Sequence, residues 1–202
     1  MSKVNVKEYH EIPLTFDPMF KALLTAKESR EYLATLIYYI VGIPKELVMK
    51  KAKIISGELY KEHHDEKGKE TDLLIVVDND IINIEMNTSK YYKEKNYAYM
   101  YKLSYGQYHE SEDYKNSKRI IQINFDTEKT YDERTLIKFQ MADIEKGIID
   151  NENFIKYHIN LDNVRIKYYN GSKQLSNLEK LLTILVINDK ESLEKLKGKG
   201  EM

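Results

Sequence analysis

The sequence predicts an α/β domain built on a mixed β-sheet flanked by helices, and three observations carry that expectation. Apolar residues recur at helical spacing from Asp17 to Val41; three short apolar runs between residues 47 and 87 read as a meander of strands; and a helical stretch at 91–110 separates them from the run "RIIQINF" at 119–125. A strand that follows a crossover helix usually pairs parallel with its neighbour, so the order helix, three strands, helix, strand implies a sheet of mixed direction.

In the first helix Phe20, Leu23 and Leu24, then Leu33, Leu36, Ile37 and Ile40, fall three or four residues apart, with a break expected at Lys27 to Ser29. Asp17 is expected as an acidic N-cap with Pro18 in the first turn, and Gly42 and Pro44 close the helix. The stretch 47–60, "LVMKKAKIISGELY", is read as the first strand and leads through the charged turn "KEHHDEKGKE" into "TDLLIVVD". Asp78-Asn79-Asp80 signals a tight turn, and "IINIEMN" returns as the third strand. In the second helix Asn96, Tyr99 and Leu103 share one stripe, while Tyr97, Tyr101, Tyr105 and Tyr108 lie opposite. The strand 119–125 is apolar enough for burial on both faces. Beyond it, 135–143 and 153–161 read as two more strands joined by a turn at 147–153, and "LSNLEKLLTILVI" (175–187) as an amphipathic helix.

A chain of 202 residues can bury one sizeable core. Lys plus Arg (32) nearly balances Asp plus Glu (33), so a polyanion must be met by a local surface rather than by the whole molecule. The absence of cysteine removes disulfides, thiolate zinc sites and a cysteine nucleophile, and it favours an intracellular protein. No secretory signal and no apolar run of membrane-spanning length is found, so a cytoplasmic chain without a membrane partner is expected.

The chemistry concentrates in "TDLLIVVDNDIINIEMN" (71–87). Folding it about the 78–80 turn places Asp72 beside Glu85, and two facing carboxylates repel in a purely structural hairpin. A divalent cation reverses that sign, since Mg²⁺ takes one or two carboxylates plus waters and substrate oxygens. Asn87, two residues beyond Glu85, projects from the same face. The bland alternative leaves both acids solvated at strand ends, paired with a lysine such as Lys69 or Lys90. His63-His64-Asp65 sits in a turn full of Lys and Glu and reads as solvated. His10, His109 and His158 are scattered without a supporting Ser/His/Asp order, and there is no phosphate-binding GxxxxGK[ST] loop.

An acid on one strand and Glu-x-Asn on the next resembles the PD-(D/E)XK nuclease signature. The stretches "FDPMFKALL" (16–24), "INIEMN" (82–87), "EKNYAYMYKL" (94–103) and "IIQINF" (120–125) are similar to those of the PD-(D/E)XK family transposases, or recombination-promoting nucleases, with "KYHINLD" (156–162) extending the likeness. The resemblance implies a restriction-endonuclease-like core over residues 1–126, with residues 127–202 a C-terminal α+β extension of the same domain. It further implies a Mg²⁺-dependent DNA endonuclease in which Mn²⁺ can substitute. Asp72 and Glu85 would ligate the metal, and Asn87 would stand in the place of the motif's lysine. Asp17, Lys21 and Lys95 match further family positions. Asn87 departs from the pattern, because an amide can orient a water by hydrogen bonds but supplies no positive charge. Relatives commonly continue past 202 residues, which bears on oligomerisation or target choice more than on the core.

Two other readings stand beside the nuclease. One is a catalytically inactive nuclease-fold protein that binds or regulates a protein or nucleic-acid partner, a reading that the balanced charge and Asn87 keep open. The other is a self-associating module, a homodimer through the tyrosine helix. That helix also interleaves aromatics with Lys90, Lys93, Lys95 and Lys102, a pattern suited to nucleic acid, with Tyr99 the ring expected to make contact because it lies beside Lys95.

Overall fold

The structure, a computed structural model, describes residues 13–55, 58–59, 69–88, 93–108, 113–171, 174–189 and 192. His10, the 63–65 triplet, Lys90, His109 and the Lys-rich C-terminal stretch lie outside those residues.

The first helical stretch breaks where expected. Helix α1 (Asp17–Thr25) is followed by a 3₁₀ turn at Lys27–Ser29 and then by α2 (Arg30–Val41), which Gly42 ends in the left-handed conformation at φ 88°. Phe16, with extended backbone, is the N-cap, so Asp17 lies one position inside the cap expected of it. Its carboxylate still favours the positive end of the helix dipole.

The expected first strand, 47–60, starts as a helix and continues as strand at 53–55 and 58–59. Lys45–Lys51 forms α3, with Pro44 as N-cap, Glu46 in the first turn and Lys50 and Lys51 in the last, a charge order that suits the helix dipole. Only Val48 of this helix is buried. Strand β1 is confined to Lys53–Ile55, and β2 (Glu58–Leu59) pairs with β3 (Lys69–Glu70) in a ladder of its own. The hairpin of β4 (Leu73–Val77) and β5 (Asp80–Asn87) turns through Asp78 at φ 53°. Its register runs from Leu73 opposite Ile84 to Val77 opposite Asp80, and one step further places Asp72 opposite Glu85.

Helix α4 (Lys93–Tyr105) carries the chain over to β6 (Arg119–Asp126), which pairs parallel with β5 along its whole length. The last strands are β7 (Leu136–Ala142) and β8 (Ile149–Asn160), and the turn between them, 143–148, is shorter than expected because β8 starts at Ile149. Helix α5 (Leu161–Tyr169) was not expected, whereas α6 (Asn177–Val186) was. Ser176 and Glu179 cap α6 reciprocally. The main sheet has six strands in the order β1-β4-β5-β6-β8-β7, with β8 parallel to β6 and β7 antiparallel at the edge. This is the mixed sheet that the element order predicts, flanked by helices on both sides.

The two faces of the sheet differ in kind. One presents Ile75, Ile82, Ile84, Ile121, Ile123 and Phe125 to α1, α2, α5 and α6 in a single apolar core, where Phe20 meets Phe125 edge-on at 5.3 Å. Each such side chain contributes roughly 1.5–3 kcal/mol by leaving water. The other face, under α4, carries Asn83, Glu85, Gln122, Asn124, Asp126, Lys156 and His158, each exposed by 3% or less. Buried polar groups destabilise unless hydrogen-bonded, and amides link them here. Asn83 donates to Gln122 (2.8 Å), Gln122 donates to Asn124 (3.1 Å), and Asn124 donates to the Tyr157 carbonyl (3.1 Å). Asn96 of α4 also donates to Asn124 at 2.6 Å, which ties the helix to this face one residue from Lys95.

Candidate metal centre

The hairpin register puts Asp72 and Glu85 side by side, and backbone amides hold both. The Asp72 amide donates to Glu85 Oε1 (3.3 Å), and the Met86 amide donates to Asp72 Oδ2 (2.7 Å). Glu85 is fully buried, so the solvated strand-end reading does not describe it. Burial first, and the neighbouring Asp72 charge second, push the Glu85 carboxyl up to about 7. Burial also raises Asp72, against the lowering effect of the Met86 amide; the charge of Asp17 adds to the rise and those of Lys95 and Lys21 oppose it. Asp17 and Lys21, at the start of α1, thus lie within electrostatic reach of the acid pair.

Lys95 comes down from α4 to complete the cluster, its Nζ 2.9 Å from Glu85 Oε2. Burial would lower the pKa of this ammonium, but Glu85 opposite holds it above the ordinary lysine value. Its side chain remains 45% exposed, so the charge faces solvent as well as the carboxylate. Tyr99 lies beneath it, with the lysine nitrogen 5.3 Å from the ring centre. Contrary to the expectation of nucleic-acid contact, Tyr99 is buried against Leu74, and the exposed rings of the helix are Tyr97, Tyr101 and Tyr105.

Asn87 shares the face of Glu85, and its amide is engaged in the next strand, where Nδ2 donates to Asp126 Oδ1 at 2.7 Å. Asp126 Oδ2 in turn lies 2.7 Å from His158 Nδ1. Sequence reasoning left His158 among the scattered histidines and did not single out Asp126. The available signal was polar alternation: Asn83, Glu85 and Asn87 on β5, and Gln122, Asn124 and Asp126 on β6, occupy every second position of otherwise apolar strands.

Asp72 and Glu85 are the side chains here that could hold a hard cation. Among the described residues no group of three or more His, Cys, Asp or Glu comes together. The pair fits an ion that keeps several waters and needs only one or two carboxylates. Glu85 is buried and repelled by Asp72, and Lys95 offsets part of that repulsion.

Helices on both sides of a mixed sheet, with paired acids on a β-hairpin, define the restriction-endonuclease-like class of PD-(D/E)XK folds. The profile of the PD-(D/E)XK nuclease family transposases matches residues 14–202, and the chain belongs to that family. No curated protein matches it significantly. No helix among the described residues is long and apolar enough to cross a membrane.

Proposed function

We propose that the chain is a Mg²⁺-dependent DNA endonuclease, a cytoplasmic hydrolase of phosphodiesters whose biology is that of transposition or recombination. The observation that carries this reading is the Glu85 carboxylate, buried beside a second acid and facing the ammonium of Lys95. Asp72 and Glu85 would hold the ion, and Mn²⁺ would replace it. Bound there, the ion supplies a polarised phosphate oxygen and a water of lowered pKa. Lys95 provides the positive charge that Asn87 lacks in the motif position, and its exposed ammonium can neutralise a phosphate at the mouth of the site. Lys21 adds positive charge from α1. Asn87 orients the attacking water by hydrogen bonding.

The test is cleavage of supercoiled plasmid by the purified chain in Mg²⁺ and in EDTA, with calorimetric titration of Mg²⁺ alongside. Nicking or linearisation with Mg²⁺, absent in EDTA, is expected. Absent metal heat together with absent cutting would move the protein to the inactive, partner-binding reading. Lys95→Ala is expected to lower kcat about 10²-fold, in line with losing one charge-stabilising group. Its Mg²⁺ affinity should be unchanged or tighter, because the ammonium competes for Glu85 Oε2 in the metal-free protein. A weaker Mg²⁺ affinity would show that Lys95 supports the acids instead of the phosphate.

A further inference from the structure

Asn87, Asp126 and His158 stand near the carboxyl ends of β5, β6 and β8, three strands that run parallel, the end at which open sheets of this kind present their chemistry. Asp126 is buried, with three polar side-chain groups around it: Asn87 Nδ2 at 2.7 Å, His158 Nδ1 at 2.7 Å and Thr130 Oγ1 at 3.2 Å. Asn87 presents its NH₂ group to Asp126 Oδ1, while His158 Nδ1 faces Asp126 Oδ2. Turning the Asn87 amide over would set its oxygen against the buried Asp126 Oδ1, two acceptor oxygens in place of a hydrogen bond. The backbone of Asn87 is fixed as well, its carbonyl accepting from both Thr127 N (3.0 Å) and Thr127 Oγ1 (3.2 Å).

The surroundings of the imidazole are equally determined. Tyr131 meets His158 edge-on at 5.1 Å and Phe139 meets it at 90° and 5.8 Å. Tyr131 holds a left-handed backbone, φ 59°, which is unfavourable for a bulky residue. The segment that carries Thr130 to Asp126 and Tyr131 to His158 is tied down by Asn160, whose Nδ2 donates to the Asp132 carbonyl at 3.2 Å.

We propose that Asp126, held by His158 and Thr130, is a positioning residue that locks the Asn87 amide in one orientation, so that Asn87 Oδ1 is the acceptor offered to the attacking water. The reading rests on the nuclease function proposed above and specifies what Asn87 does within it. Asn87 receives a hydrogen bond from the water and takes no proton. Asp126 and His158 act only through Asn87, being buried away from substrate.

The experiment compares wild type with Asp126→Asn, Asn87→Asp and the double variant Asn87→Asp/Asp126→Asn. Readouts are kcat and KM on plasmid, calorimetric Mg²⁺ affinity, thermal stability, and the Asn87 side-chain amide signals in ¹⁵N spectra of the metal-free protein. Asp126→Asn preserves shape but accepts either orientation of Asn87, so kcat is expected to fall about tenfold from misplaced water, with KM and Mg²⁺ affinity unchanged. Its Asn87 amide protons are expected to shift and exchange faster with solvent. Asn87→Asp sets two carboxylates against each other and is expected to lower kcat by about 10²-fold or more. The double variant reverses donor and acceptor across the same bond and is expected to recover about tenfold of that loss. A kcat for Asp126→Asn within about twofold of wild type, or a double variant no better than Asn87→Asp, overturns the proposal. A wild type that cuts no DNA removes the nuclease reading instead, and the spectrum then decides: an Asn87 amide signal unmoved by Asp126→Asn overturns the locked orientation.

Discussion

If the proposed metal mechanism holds, Asp72→Asn and Glu85→Gln are each expected to abolish Mg²⁺ heat and to reduce plasmid cleavage on the order of 10³-fold or more, because the ion would contribute several kcal/mol to the transition state and each 1.4 kcal/mol is tenfold in rate. The informative part is the accompanying stability. A structural acid, when neutralised, leaves its partners unsatisfied and lowers the melting temperature. Glu85 is in the opposite situation, since its charge is buried and repelled by Asp72. Gln at this position keeps an acceptor oxygen for the Asp72 amide or for Lys95 and removes the repulsion. In EDTA at pH 8 the Glu85→Gln protein should therefore melt at or above the wild-type temperature while being inactive. Plasmid nicking and thermal melts of the same samples check both halves, and cutting retained within about tenfold would remove Glu85 from the metal site.

The second large effect is a stability that declines with rising pH in the metal-free protein. Glu85 titrates at about 7 in the folded chain, above the ordinary glutamate value of 4.5. Between those values the folded state holds a proton that the unfolded state has released, so unfolding free energy falls through this window and stays low above it. A shift of this size corresponds to on the order of 3 kcal/mol, and Asp72, also raised, acts in the same direction. Urea midpoints in EDTA should be higher at pH 5 than at pH 8, by an amount that Glu85→Gln largely removes. Saturating Mg²⁺ should raise the midpoint more at pH 8 than at pH 5, since the ion binds the deprotonated pair. Equal midpoints in EDTA at the two pH values would mean that Glu85 is solvated and ionised throughout.

The features legible in the sequence are those with a short local period. The break at 27–29 and the stop at Gly42, the facing of Asp72 and Glu85 across the β4–β5 hairpin, and the split of α4 into an inward side of buried Asn96 and Tyr99 with partly buried Leu103 and an exposed Tyr97/Tyr101/Tyr105 side all follow from spacing. Helix α3 was misread because a seven-residue helix that buries only Val48 has no periodicity to show, and "LVM" is apolar in either state. Helix α5 has the Asn160 side chain as an N-cap, accepting from the Asn163 amide, but follows β8 without an intervening loop, so its start looks like strand. Asp72, Glu85 and Lys95 were reached through hairpin geometry together with family likeness. The Asn87–Asp126–His158 chain was not, because its bonds span 39 and 32 residues across parallel strands, where no turn fixes the register.

Helix α4 is seated on its sheet through directional bonds, with Asn96 gripping Asn124, where most helices of α/β proteins rest on interchangeable branched side chains. Grease lets a helix creep along its axis or roll; an amide-to-amide latch admits one setting. The reach of Lys95 is thereby indexed to β6 as well as to the hairpin that bears the acids, against which Tyr99 packs. Any change that loosens the latch at Asn96 or Asn124 should scatter the ammonium over several placements while leaving the oily half of the molecule intact.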